Sequence, residues 1–509
     1  MNHTRIPPGD KETIDFLIIG SGIGGATLAY ALAPTGANIV ILERGERLKD
    51  SHEARDLSAI FERGHYRSSE TWLDACGKAF SPGNFYNVGG NSKFYGAVMY
   101  RYRETDFQAR ELPEGDTVAW PFGYDELEPW YGKAEVLYQI RGADGIDLTD
   151  PPRSTPFPYP PVPYEPQIAD AAERLRRLGL NPAPLPLALD LEKWLARART
   201  PWDGVPDTHS GKIDAETGPL DQALAHPNVQ LISGAHVTHL ATNTTGKRIE
   251  AAHYRQGNKD KKLSADKVVL AAGAVNSSVL LQRSEHPKRA GGLANSSDAV
   301  GRYFMNHNTT AMITCDLRKK WSTVHSKVFG INDFYLDDDE TGLPLGNVQQ
   351  LGKISAPVLA ANIPIWAPEF LLQWFCDRAV DWYLMSEDFP LANSRVYPKG
   401  DRIVMDWQPS NLRTHELLVE CMRRLFRKAG YQIILTKPFG NKAPSHQCGT
   451  VRMGNDPATA PLDSFCKAYD HDNLWVVDAS FLPSSAAVNP SLTIAAQSLR
   501  VGNLLSQFG

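Results

Sequence analysis

The sequence predicts an α/β fold. A parallel sheet with helices packed on it is assembled from separated segments, and an α+β portion lies between them. Three observations carry this reading. Near the start, the short apolar run 15–19 leads into Gly20-Ser-Gly22-Ile-Gly24-Gly25, then a helical stretch, then a second apolar run ending at Glu43. A second strand–glycine–helix pattern recurs at 268–284, and a strand, turn and long helix close the chain. The stretches between them read differently, with dense prolines at 145–165 and Trp-bearing apolar runs across 311–410.

The elements follow in order. Asp15–Ile19 (DFLII) is uniformly apolar after its first residue, as a strand buried on both faces requires. ATLAYALAPTG reads as a helix stopping at Gly36, and NIVILERG as the second strand. Residues 83–105 are rich in glycine and aromatics and read as an extended loop that packs on something flat. The prolines of 145–165 exclude helix and central strand there, and 167–184 returns to a helical pattern. A β-meander from about 228 feeds the buried strand Val268–Ala271, which runs into Gly273 and a helix. THELLVECMRRLFRKAG is an amphipathic helix. The sequence therefore divides into a cofactor portion (1–110, 200–310 and 440–509) and a substrate portion (111–199 and 311–439).

Bulk properties narrow the function. The chain has 509 residues, enough for two or three domains. It is 42% hydrophobic and 22% charged, the balance of a soluble globular protein. A net charge of −5 without blocks of like charge gives no nucleic-acid face and no polybasic membrane patch. Six scattered cysteines form no C-x-x-C pair, which fits reduced thiols and a cytoplasmic location. Residues 1–13 are polar with two prolines and do not read as a signal peptide, and no apolar run reaches bilayer-spanning length. No G-x-S-x-G elbow announces a hydrolase.

The glycines point to a dinucleotide held in a Rossmann-type unit. Gly20 permits the tight turn, Gly22 lets backbone approach a pyrophosphate, and Gly25 lets helix and strand pack closely. Glu43 lies 43 − 20 = 23 residues after the first glycine, placed to accept from ribose hydroxyls and to repel a 2′-phosphate. The motif alone does not separate FAD from NAD.

Late in the chain, His446 precedes Gly449-Thr450-x-Arg452-Met453-Gly454, and NLWVVDAS precedes Asn489-Pro490-Ser491-Leu492-Thr493. With LAAGAVNSSVLLQRS (270–284) and VGGNSKFYGAVMYRYR (88–103), this order resembles the glucose–methanol–choline (GMC) family of FAD-dependent oxidoreductases. The arrangement is most similar to the pyranose 2-oxidase branch and the bacterial C-glycoside 3-oxidases. The resemblance implies a GMC/PHBH-like fold that holds FAD. It also implies oxidation of a secondary ring hydroxyl, C2 or C3, of a pyranose or glycoside, with dioxygen (giving hydrogen peroxide) or a quinone as acceptor.

By the same resemblance His446 is the catalytic base, and Asn489 orients the substrate oxygen. The implied FAD contacts are Gly89, Gly90, Asn91, Ser92, Val237, Ala272, Gly273, Asp478, Ala479, Asn489, Pro490 and Leu492. In the resembled fungal oxidases a histidine after G-G-x-S is bonded to the flavin. Phe94 stands there in this chain, so non-covalent FAD is expected. DSFCKAYDHDN also departs from the family's basic-Val-His-Gly run.

An imidazole, with a pKa of about 6.5, suits a base near neutrality, whereas a carboxamide is no base there but can donate to a substrate oxygen and orient it. His307 and Asn308 read as structural, and Arg452 as a local loop anchor. Trp366, Trp374, Trp382 and Trp407 are candidates for a sugar face, with core packing the stronger reading of each. The alternatives are a GMC enzyme for a non-sugar alcohol, a nicotinamide-dependent dehydrogenase or flavoprotein monooxygenase, and a non-catalytic FAD scaffold.

Overall fold

The computed structural model describes residues 13–196, 200–209, 211–284, 286–287, 291–362, 367–440 and 446–508. Five strands form an all-parallel sheet in the order Val229–Ile232, Ile39–Leu42, Phe16–Ile19, Lys267–Leu270, Leu474–Val476. The first strand sits at its centre, in register with Phe16 opposite both Ile39 and Lys267. Its four residues are fully buried, which explains an apolar run without alternation.

The helix Ile23–Leu32 follows and packs against the C-terminal helix Ser491–Leu505. The two approach closely because Gly502 lacks a side chain: a Cβ there would stand 2.5 Å from the Ala31 methyl. A short turn of 3₁₀ helix then stops at Gly36, whose φ of 83° ends the run where the sequence predicts.

A second sheet has six strands, all antiparallel: Ile433–Pro438, Asn308–Cys315, Ala379–Ser386, Asn347–Gln350, Phe329–Ile331, Ala183–Pro184. The helix Leu412–Lys428 covers one face, burying Leu418, Met422 and Phe426. The meander Ala235–Thr242, Ile249–Gln256, Lys259–Leu263 forms a separate three-stranded sheet.

Some expectations need correction. The helix expected over 167–184 is Pro166–Arg176; Gly179, at φ 87°, follows its end, and a strand begins at Ala183. The loop 83–105 contains two short 3₁₀ turns, Gly90–Phe94 and Glu104–Phe107. The proline-dense stretch forms neither helix nor ladder strand over 145–165. All six cysteines are free, and five are buried.

Candidate active site

One elongated cavity of about 880 Å³ runs beside the parallel sheet, within the size range of cofactor sites. Glu43, at the tip of the second strand, lines it with Arg44 and Val237. Gly20, Gly22, Gly89, Gly90, Asn91, Ser92, Ala272, Gly273, Asp478, Ala479 and Pro490 line it too. His446 and Asn489 stand on the same wall.

Gly25 and Leu492 do not line the cavity, and Gly25 does the packing expected of it. Gly25 serves packing: a Cβ there would stand 2.1 Å from the Gly20 carbonyl oxygen. Leu492 is fully buried in the C-terminal helix. A Cβ on Gly22, by contrast, meets nothing within 4 Å, so that glycine faces open space at a helix N-terminus. Space of that kind at a helix N-terminus is what a pyrophosphate requires.

Glu43 is tied down from within. It accepts from the Ser21 amide at 3.0 Å and hydroxyl at 2.7 Å, and from the Gly45 amide at 2.9 Å. Burial nevertheless raises its carboxyl above the usual range. Ser21 in turn accepts from the Gly89 amide at 3.1 Å, which joins the first glycine turn to the loop 89–94. There Gly89 and Gly90 adopt φ of 86° and 57°, the left-handed region that favours glycine.

Beneath this loop Lys93 is fully buried between Asp214 (3.0 Å) and Glu216 (2.7 Å). Asp478 accepts from the Gly273 amide at 3.0 Å, from Ser277 at 2.5 Å, and from the Ser480 amide and hydroxyl. It thereby locks the turn after the last strand to the start of the helix Ala274–Arg283. Phe94 stacks on Phe85 with centroids 3.9 Å apart, and both line the cavity.

The catalytic candidates, 43 residues apart, meet directly. The Asn489 amide donates to His446 Nε2 at 3.2 Å. His446 also contacts His307, Nδ1 to Nδ1 at 2.8 Å, and its backbone N–H donates to Asn306. The structure thus separates two residues read alike from sequence. His307 touches the base candidate, whereas Asn308 holds the carbonyls of Glu387 and Ser410. Burial lowers the His446 pKa well below its usual value, and His307 and the Lys327 ammonium push the same way.

Lys327, beside the strand Phe329–Ile331, pairs with Asp203 at 3.1 Å. Both line the cavity with Tyr383 and Phe439, whose rings lie 5.9 Å apart. No motif announced these four; each takes its place through strand pairing in the antiparallel sheet or the loops beside it. The described tryptophan candidates do not line the cavity. Trp382 is core, Trp407 donates to Asp388, and Trp374 is exposed on the helix Glu369–Cys376. Trp366 lies outside the described residues. Arg452 lies over the Tyr303 ring at 3.6 Å and holds the Thr459 carbonyl, anchoring its own loop as expected.

Among the described residues no group of His, Cys, Asp and Glu is arranged to hold a metal, and no helix is long and apolar enough to cross a membrane.

Comparison with known proteins adds three findings. Residues 15–293 match the family model for FAD dependent oxidoreductases, and 393–498 that for GMC oxidoreductases. Paromamine 6′-oxidase of Streptomyces fradiae is 28% identical over 98% of this chain and 93% of its own length. The fructose dehydrogenase large subunit of Gluconobacter japonicus is 24% identical over 97% of this chain and 98% of its own. Among solved structures, pyridoxine 4-oxidase from Mesorbium loti superposes with a TM-score of 0.68 at 20% identity, covering 96% of this chain and 98% of that one.

Proposed function

Because the chain belongs to the FAD-dependent oxidoreductases and carries a GMC oxidoreductase domain near its C-terminus, we propose that it oxidises a secondary ring hydroxyl, C2 or C3, of a pyranose or glycoside. Dioxygen or a quinone is the final acceptor in this reading. The observation that carries it is the His446–Asn489 contact on the wall of the cavity that holds Gly22 and Glu43. Bound FAD supplies a hydride acceptor there.

The chain's own groups do the rest. As a carbinol C–H breaks, its O–H must give up a proton, and His446 Nε2 takes it. The Asn489 amide holds the oxygen beside that nitrogen. The depressed pKa keeps His446 neutral, and so competent as a base, throughout the neutral range. The sign follows: the base form exists above its pKa, so the rate is flat near neutrality and falls only well below pH 6.5.

Lys327 steadies negative charge growing on the substrate oxygen, Asp203 accepts from neighbouring hydroxyls, and Tyr383 and Phe439 offer flat apolar faces. This mixture suits a polyhydroxylated ring. The division into cofactor segments (1–110, 200–310, 440–509) and substrate segments (111–199, 311–439), and a cytoplasmic location, belong to the same proposal.

A second reading, oxidation at an exocyclic 6′-type position, is favoured by the name of the paromamine 6′-oxidase relative. The test is anaerobic. Free sugars, O-glycosides, C-glycosides and aminoglycosides are added in turn to the yellow protein, bleaching of the flavin absorbance is followed, and product NMR locates the carbonyl. A ketone in the ring supports the first reading and an aldehyde the second. No bleaching by any sugar rejects both, and undiminished bleaching in His446→Ala removes His446 from its role.

A further inference from the structure

Two hydrogen-bond chains converge on His446, and both end on groups that can only accept. On one side His307 Nε2 stands 3.1 Å from the Ser485 carbonyl oxygen. A carbonyl has no proton to give, so this nitrogen carries one. His307 is buried, and burial lowers its pKa to about 4, so the ring is neutral near neutrality. Its Nδ1 is therefore bare and can only accept. The 2.8 Å contact then requires the proton on His446 Nδ1. His446 is neutral as well, which leaves its Nε2 as a lone pair.

The other chain reaches the same result independently. The Asp147 carboxylate, paired with Arg103 at 2.7 Å, accepts from Asn332 Nδ2 at 2.6 Å. Asn332 Oδ1 accepts from Asn347 Nδ2 at 2.6 Å, and Asn347 Oδ1 from Gln349 Nε2 at 3.2 Å. The amide end of Gln349 is thereby fixed, and it also donates to Asn489 Oδ1 at 3.0 Å. The NH₂ end of Asn489 must then face His446, as a donor to Nε2. Each amide in this series is oriented by its neighbour, starting from a carboxylate that admits one choice.

We propose that His307 is a positioning residue that fixes His446 as its Nδ1–H tautomer, aims the bare Nε2 at the substrate hydroxyl, and accepts the Nδ1–H bond of the imidazolium once the proton is taken. The inference rests on the reading of His446 as the base. In the balance, the substrate hydroxyl takes the place of the Asn489 N–H at Nε2, the O–H bond breaks, an Nε2–H bond forms, and the Nδ1–H bond to His307 persists throughout. A neutral imidazole thus fills the place behind the base that a carboxylate fills in a Ser-His-Asp triad. Among the described residues, the groups that bear on the charge of His446 are His307 behind it and Lys327, paired with Asp203, beside the antiparallel sheet. None of them contributes a net negative charge, which keeps the base unprotonated.

The test uses the holoenzyme with ¹⁵N-histidine labelling. The His446 resonances, assigned by their loss in His446→Ala, are expected to show a protonated Nδ1 and a bare Nε2. The reverse pattern overturns the proposal, whether or not any sugar bleaches the flavin, so its failure is distinct from failure of the functional reading. Three variants then use the sugar that reduces the wild-type flavin fastest. His307→Phe removes the acceptor and lowers the limiting reduction rate about 100-fold at little cost in KM, the low end of what a positioned base contributes. His307→Asn restores an acceptor and recovers most of that rate.

His307→Asp places an anion behind the base and moves the acid limb of the pH–rate profile upward by roughly 1–3 units. A purely structural role predicts no such signed shift. An unmoved acid limb, or equal losses in Phe and Asn, overturns the proposal.

Discussion

Replacing Gly22 with Ala should weaken FAD binding while sparing the fold, and the neighbouring glycines show why. The backbone at Gly22 is at φ −69° and ψ −172°, ordinary for any residue, and a Cβ there meets no atom within 4 Å. Alanine should therefore leave the apoprotein unharmed, or stabilise it by about 0.4–1 kcal/mol through a less mobile unfolded chain. The same methyl occupies the space beside the helix N-terminus that a pyrophosphate needs. Overpacking of that kind costs about 1–3 kcal/mol, a loss of roughly 5- to 150-fold in affinity.

Gly24→Ala and Gly25→Ala are the controls. Their added methyls stand 2.1 Å from the carbonyl oxygens of Val477 and Gly20, both backbone atoms that cannot swing away. These two should lower apoprotein stability by about 1–3 kcal/mol or more. The assay pairs urea unfolding of flavin-stripped protein with FAD titration followed by fluorescence quenching. If Gly22→Ala retains wild-type affinity, or destabilises the apoprotein as much as Gly25→Ala, the assignment of distinct roles to these glycines fails.

Other outcomes follow from the same structure. Lys93→Met leaves Asp214 and Glu216 without their buried partner and should cost about 3–5 kcal/mol in urea unfolding; a loss under about 1 kcal/mol would refute a stabilising role for the lysine. His415 is buried between Thr310 and Ser386, and burial lowers its pKa to about 4. Between that value and the unfolded value of about 6.5 the unfolded chain binds the extra proton, so stability falls as pH drops, by about 3 kcal/mol in full. His415→Gln should flatten this decline relative to wild type; parallel pH–stability curves would refute it. With Phe94 where a flavin-linking histidine would stand, acid precipitation should leave a colourless pellet and a yellow supernatant.

What was legible in the sequence is what local chemistry dictates. The central strand, the glycine turn and Gly36 announce themselves because burial on both faces, close approach and a left-handed residue each demand a particular side chain. The His446–Asn489 pair was visible through motif order. Lys327, Asp203, Gln349, Tyr383 and Phe439 were not, because strand pairings and loops far apart in sequence bring them together. His307 was seen but read as structural. Nothing in MNHNTT reports that the bridge between Met305 and Cys448 carries it to His446. The tryptophans were read first as core, because a large apolar ring is as useful there as against a ligand, and Trp382 is core.

The parallel sheet closes only when Leu474–Val476 pairs with Lys267–Leu270, which itself flanks the first strand. On a ribosome, 476 − 16 = 460 residues separate the appearance of its first strand from its last. At about 5–20 residues per second this is a wait of roughly 25–90 s. Throughout that interval the nascent glycine turn lacks the Asp478 side of its nucleotide cradle. Flavin capture should therefore come last in biosynthesis, and a chain that stops before the last strand should be colourless.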